Sequence, residues 1–178
     1  AVKEAYKNGR IIVFIEPIAL YMTKDLYKAK DGKWEFIYPK LNDESPIGEF
    51  KSYGNGRLLT ILTYGNGLYL SLQAQKDIEK KLGKKIKIID LMWISDINYE
   101  TLLKEISPCK KILIVDECRR SGCHGEGILT NLILKSKKPL NIALHAAEDS
   151  FISIGNAATA TLPSKDSIVQ NALNLVNA

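Results

Sequence analysis

The chain has 178 residues, 46% hydrophobic and 25% charged, with 25 basic against 20 acidic side chains and a formal net charge of +5. That composition excludes a disordered chain, the longest apolar run falls short of the roughly 18 residues of a membrane span, and the length suits one α/β domain or one domain plus a piece of another. Three cysteines point away from a disulfide scaffold and toward a reducing compartment, read as the cytoplasm, and the modest, dispersed basic excess implies no nucleic acid partner.

The chain opens on Ala1 with neither an initiator Met nor a signal peptide, which reads as a fragment of something longer. Residues 2–7 resemble the last turns of a helix stopped by Asn8-Gly9. Residues 10–15, Arg-Ile-Ile-Val-Phe-Ile, form a continuous β-branched apolar run, as expected of a strand covered on both faces of a sheet, and Glu16-Pro17 ends it. From Met22 to Gly56 the chain turns polar and turn-rich, with Asp31-Gly32, Asn42-Asp43 and Ser45-Pro46 around a short aromatic segment of Trp34, Phe36 and Tyr38. This reads as a linker that packs on a neighbour, and it carries the domain boundary.

After Gly56, strands and helices alternate. Residues 58–64 predict a strand and Gly65-Asn66-Gly67 a turn. Leu68, Leu72, Ile78 and Leu82 then share one helical face that stops at Gly83. A second strand is expected at 86–91, a helix at 99–105 capped by Asp96 or Asn98, and a third strand at 111–115 ending in Asp116-Glu117. A glycine-rich turn at 121–127 should open a helix over 128–135. A fourth strand is expected at 140–144, a short edge piece at 160–162, and a final helix capped by Ser164. The pattern predicts a three-layer α/β/α fold around a mostly parallel five-stranded sheet. No internal repeat or low-complexity segment interrupts it.

Two segments could carry chemistry. Tyr64-Gly65-Asn66-Gly67 offers backbone amides to a phosphate, but Leu70 stands where the dinucleotide fingerprint needs its third glycine, so a tight βα turn is the plainer reading. The run from Asp116 to Gly127 lies past the end of a strand, where α/β proteins place ligands. Its Cys118, Cys123 and His124, with distant Cys109, match no zinc spacing, and no third residue marks a Cys-His nucleophile. The simpler expectation is a loop whose arginines pair with nearby carboxylates. His145 reads as a satisfied structural histidine, Glu148-Asp149-Ser150 as a turn with local capping, and Lys80, Lys81, Lys84 and Lys85 as a solvated helix end. The residues alone thus give an α/β domain without a complete active site.

Taken in order, the segments Ile12-Val13-Phe14-Ile15-Glu16 with Leu20-Tyr21, Pro46-Ile47-Gly48 and Leu59-Thr60-Ile61-Leu62-Thr63-Tyr64-Gly65 form one half of a series. It continues with Ile89-Asp90-Leu91 through Ile94-Ser95-Asp96-Ile97, then Ile114-Val115-Asp116-Glu117, the following glycines with Glu126, and Asp149-Ser150-Phe151-Ile152. The series covers nearly the whole chain. It resembles the carboxyl-terminal half of the beta-type chain of thiamine diphosphate-dependent 2-oxoacid dehydrogenases, the decarboxylating components of the pyruvate and branched-chain 2-oxoacid complexes. Asp96 departs from that pattern by replacing a usual proline. The loop from Cys118 to His124 departs from a common Gly-Gly, and its Cys-Arg-Arg-Ser-Gly form resembles a subgroup with fused alpha-type and beta-type parts.

The resemblance implies that residues 1–21 are the tail of a pyrimidine-binding domain, 22–56 a linker and 57–178 a transketolase C-terminal-like domain. It implies that thiamine diphosphate and magnesium serve the full enzyme, with none bound by this segment. No residue here inherits a catalytic or cofactor role, and Glu16 is not the family's activating glutamate. The implied partners are a second copy across a two-fold, an alpha-type chain or fused domain, and a lipoyl acyltransferase. The expected contact residues are Asp116, Glu117, Arg119, Gly122, Glu126, Asp149, Phe151 and Ile152. Two other readings stand beside it: the same domain of another transketolase-type thiamine enzyme, and a stand-alone module that binds nucleotides or anions at the glycine turns.

Overall fold

The computed structural model describes residues 1–40 and 43–178; Leu41 and Asn42, the latter in the expected Asn42-Asp43 turn, lie outside the described residues. The elements, in order, are α1 (Val2–Lys7), β1 (Lys51–Tyr53), β2 (Leu59–Thr63), α2 (Asn66–Leu82), β3 (Lys87–Asp90), α3 (Tyr99–Ile106), β4 (Lys111–Arg119), α4 (His124–Lys135), β5 (Ile142–Ala147) and α5 (Lys165–Asn177). Short 3-10 turns occupy Ile18–Leu20 and Gly155–Ala160.

The five strands form one sheet in the order β1-β3-β2-β4-β5, parallel except for β1. Every residue of β2 is buried, as a central strand covered on both faces requires. Alternation along the strands divides the core in two. Leu59, Ile61, Ile88, Leu113 and Val115 meet α2 and α5, while Leu62, Ile89, Ile112 and Ile114 meet α3 and α4. Asn98 caps α3 by accepting from Thr101 N at 3.1 Å, and Ser164 and Ser167 form a reciprocal capping box on α5.

Several expectations are corrected. Residues 10–15 form no strand. Ile11 is 98% exposed and Val13 81%, because the described residues hold no neighbouring strand to cover them. The segment is instead held by a 2.6 Å ion pair from Arg10 to Asp96. The fifth strand is Lys51–Tyr53, inside the stretch read as linker, and not residues 160–162, which form turns. Three residues between turns are too short to show a period. They pair because Tyr53 packs on one core cluster and Phe50 on the other. Strand β4 runs on through Arg119, so Asp116 and Glu117 lie within it, and α4 begins at His124 rather than near Ile128. Strand β5 is shifted to residues 142–147.

The stretch before β1 packs as the sequence suggested. Trp34 sits edge-on to Tyr69 of α2 at 5.1 Å, and Gln73 Nε2 donates to Leu26 O at 2.7 Å. Asp31 accepts from the backbone N–H groups of Leu26, Tyr27, Lys28 and Lys33. Desolvation raises its carboxyl, but those four donors more than offset it and hold the group well below the usual carboxylate range. Asp31→Ala is therefore expected to loosen this loop from α2. Trp34 fluorescence should shift to the red and its quenching by iodide should increase; an unchanged spectrum would show that the loop holds without Asp31.

Candidate functional site

The carboxyl ends of β2, β4 and β5 gather the polar residues of the chain around one buried carboxylate. Asp116 is 1% exposed. Its Oδ1 accepts from Cys118 N at 2.9 Å and its Oδ2 from Gly125 N at 2.7 Å, so it ties the strand end to the first turn of α4. Gly125 is needed for this approach, since a Cβ there would meet the Leu144 side chain and Asp116. On the opposite face of the sheet, Asn66 Nδ2 donates to Glu117 Oε1 at 2.6 Å and Thr63 Oγ1 to Val115 O at 3.0 Å.

The loop from Arg120 to Cys123 is fastened at both ends. Gly122 N donates to Glu126 Oε2 at 2.7 Å. Ser121 gives Asp149 two bonds, from its N–H at 2.7 Å and its hydroxyl at 2.6 Å. Those two bonds lower the Asp149 carboxyl. Asp149 thus latches the β4–α4 loop to the β5 loop, a longer reach than the local capping expected of it. The pairing of β4 with β5 is irregular between Val115 and Arg119, which turns the strand end outward into this loop.

The chemistry of the site is muted. Burial, with Asp116 beside it, pushes the Tyr64 phenol well above its usual range, and burial likewise raises the Cys118 and Cys123 thiols. Both thiols therefore stay protonated at neutral pH, the opposite of an activated nucleophile. His124 packs edge-on to Tyr64 at 5.9 Å, and among the described residues no hydrogen bond joins it to either thiol. His145 Nε2 lies 2.8 Å from Ser167 Oγ, with Asn171 near its other nitrogen; burial first, then Arg120, lowers it, against Glu148. That is the satisfied structural histidine read from the sequence. Glu117 is raised by burial, opposed by the Asn66 amide and reinforced by Asp116.

Several backbone donors of the glycine turns are spent within the chain. Gly67 N goes to Tyr64 O and Leu68 N to Gly65 O, while Gly125 N serves Asp116 and Glu126 N serves Cys123 O. A bound anion would have to displace these acceptors, so the tight-turn reading of 64–67 is the one the geometry favours. The expected close pairing of the loop arginines is absent: among the described residues neither Arg119 nor Arg120 forms an ion pair, although both help lower the Asp149 carboxyl through space.

Of the expected contact residues, Arg119, Gly122, Glu126, Asp149, Phe151 and Ile152 stand on the surface of these loops. Asp116 lies beneath them, and Glu117 is half-buried on the α2 side. Sequence reasoning missed Asn66, Ser121 and Tyr64 as organisers of the site; only the glycines beside them signalled tight turns. It also missed Asp90 at the end of β3. Burial pushes that carboxyl up to about 6, and Lys51 on β1 only partly draws it down.

Comparison with known proteins decides the family. The model for the transketolase C-terminal domain matches residues 48–162. The chain belongs to the transketolase C-terminal domain family. Its parallel sheet with helices on both faces is that family's fold, and the loops just described are the carboxyl-end loops of this domain.

Curated relatives include the pyruvate dehydrogenase E1 component subunit beta of Staphylococcus epidermidis, 27% identical over 76% of this chain and 44% of the relative. The subunit of the same name from Staphylococcus aureus is 25% identical with the same coverage. The chain thus spans less than half the length of these relatives. Among solved structures, a split-gene transketolase described as an inactive beta4 tetramer shares the fold, with a TM-score of 0.66, 15% identity, and coverage of 76% of this chain and 44% of that one. A 2-oxoglutarate:ferredoxin oxidoreductase from Magnetococcus marinus aligns with a TM-score of 0.50 at 15% identity, over 72% of this chain and 20% of that one.

Thiamine diphosphate with magnesium needs oxygen ligands for the ion and donors for the diphosphate. Among the described residues no three His, Cys, Asp or Glu side chains converge as ligands. The N–H groups of Gly67, Leu68, Gly125 and Glu126 are already bonded within the chain, so at these positions a diphosphate would have to displace an acceptor.

Proposed function

We propose that this transketolase C-terminal domain belongs to the decarboxylating component of a cytoplasmic 2-oxoacid dehydrogenase, acting on pyruvate or a branched-chain 2-oxoacid and passing the acyl group to a lipoyl acyltransferase. Thiamine diphosphate and magnesium would be held outside this chain, together with an alpha-type chain or fused domain. The cofactor would carry the chemistry, and this domain would serve assembly. Residues 1–21 would then be the tail of a pyrimidine-binding domain and the chain from residue 22 up to β1 the linker, shorter than the expected 22–56. The exposed apolar run at 11–15 supports that division, since such a run needs a sheet to cover it.

The observation that carries the reading is the carboxyl-end surface. Asp116, Glu126 and Asp149 are occupied in holding loops together, its thiols are held protonated, and its outermost loop exposes apolar side chains, with Phe151 at 98% and Ile154 at 99%. This suits a contact surface better than a reaction centre. Across a two-fold, the same patch serves both copies. A second reading, the same domain of another transketolase-type enzyme, draws on the likeness to the split-gene transketolase.

The purified chain, supplied with thiamine diphosphate and magnesium, should be dimeric and release no carbon dioxide from pyruvate or branched-chain 2-oxoacids. Turnover by the chain alone would overturn the assembly role, and a monomeric mass at high concentration would remove the two-fold contact. When the chain is reconstituted with its partner chain, turnover of a ketose phosphate in place of a 2-oxoacid would favour the second reading.

A further inference from the structure

Three charged side chains on the carboxyl-end surface are left without a bonding partner among the described residues. Arg119 and Arg120 are exposed at the end of β4, and Glu148 is exposed directly after β5; none has a hydrogen bond or ion pair through its side chain. Their neighbours are already committed. Asp149 is taken by Ser121, Glu126 by Gly122, Glu117 by Asn66 and Asp116 by two backbone donors. Arg120 N bonds Ala147 O at 3.0 Å, which places Arg120 beside Glu148 at the end of the same ladder. One patch therefore carries exposed charges of both signs, which reach Asp149 and His145 only through space, beside the apolar tip of Phe151 and Ile152.

A two-fold contact requires a surface complementary to itself, with a cation on one side of the axis and an anion on the other. We infer that Arg120 of one copy pairs with Glu148 of a second copy, and reciprocally, with Arg119 flanking the pair and the 151–154 tip packed at the axis. This rests on the two-fold reading above and names the charges that set its register. Such charges would govern specificity and on-rate, and reversing one would bring like charges together twice per dimer.

Reciprocal charge reversal in the full chain tests the pairing, with dimer dissociation measured by sedimentation and folding checked by circular dichroism. Arg120→Glu and Glu148→Arg should each weaken the dimer at least about 100-fold. Mixing the two variants should restore a heterodimer of near wild-type affinity, because both contacts then pair opposite charges. The wild-type dimer should also weaken several-fold between about 50 and 500 mM salt. If the wild type dimerises but the single variants dimerise equally well, the pairing is wrong and the two-fold reading stands. Rescue in the double variant but not in the mixture would place the pair within one chain and overturn the inference. A monomeric wild type removes both. If either variant fails to fold, Arg120→Gln and Glu148→Gln replace them, and an unchanged salt dependence in those variants would also overturn the pairing.

Discussion

Asp116→Ala should destabilise the chain by about 2–4 kcal/mol, because the N–H groups of Cys118 and Gly125 both lose their acceptor and the second of them is buried. Asp116→Asn should cost less, since one carboxamide oxygen can still accept one of the two bonds. Urea denaturation of the three proteins reads both effects as a shift in midpoint at constant slope. The alanine variant should also free the start of α4, with faster amide exchange at Gly125 and Glu126. A loss below about 1 kcal/mol in the alanine variant would mean that water replaces the carboxylate at no cost, and the central place given to Asp116 would be wrong.

Asp90→Asn should act in the opposite direction and only at one end of the pH scale. An aspartate in the unfolded chain titrates near 3.9, whereas in the fold burial moves Asp90 to about 6. The folded state therefore binds this proton more tightly. The stabilisation it brings is complete below about pH 4 and is lost as pH rises through about 6. A difference of two units corresponds to about 3 kcal/mol. Asparagine has no charge to bury, so the variant should be more stable than wild type by about 2–3 kcal/mol at pH 8 and equal to it near pH 4. Paired urea curves at the two pH values isolate this term from other carboxylates, which the two proteins share. An equal gain at both pH values, or none at either, would rule out the account.

Much of the architecture was legible because long periodic elements state their own period. Leu68, Leu72 and Ile78 marked α2, and Ser164 marked the start of α5, from side-chain spacing and capping chemistry alone. Short or context-dependent pieces were not. Lys51, Ser52 and Tyr53 become a strand only because β3 offers an open edge and two core clusters receive Phe50 and Tyr53. Residues 10–15 show the converse, since strong β propensity forms no ladder without a partner.

The polar run from Asp116 onward begins inside β4 rather than past its end, and only part of its bonding logic was legible. The sequence located the polar run from Asp116 onward but could not show that its carboxylates bond to backbone N–H groups and Ser121 rather than to arginines. Such a choice depends on where β4 ends and α4 begins, and both boundaries moved by about one turn. The resemblance to the beta-type chain supplied the family, which composition and spacing alone had left at a generic α/β domain.

The open segment at 10–15 also bears on how the chain behaves in solution. Its backbone hydrogen-bonding groups beyond Arg10 pair with nothing among the described residues, and its outward side chains are mostly apolar. An unpaired apolar segment of that kind is a template for pairing with another chain, and between Arg10 and Glu16 it lacks the charges and prolines that blunt natural sheet edges. The net charge of +5 opposes non-specific association at low ionic strength. Once salt screens that repulsion, the colloidal weak point of the molecule is this six-residue run rather than its well-packed sheet.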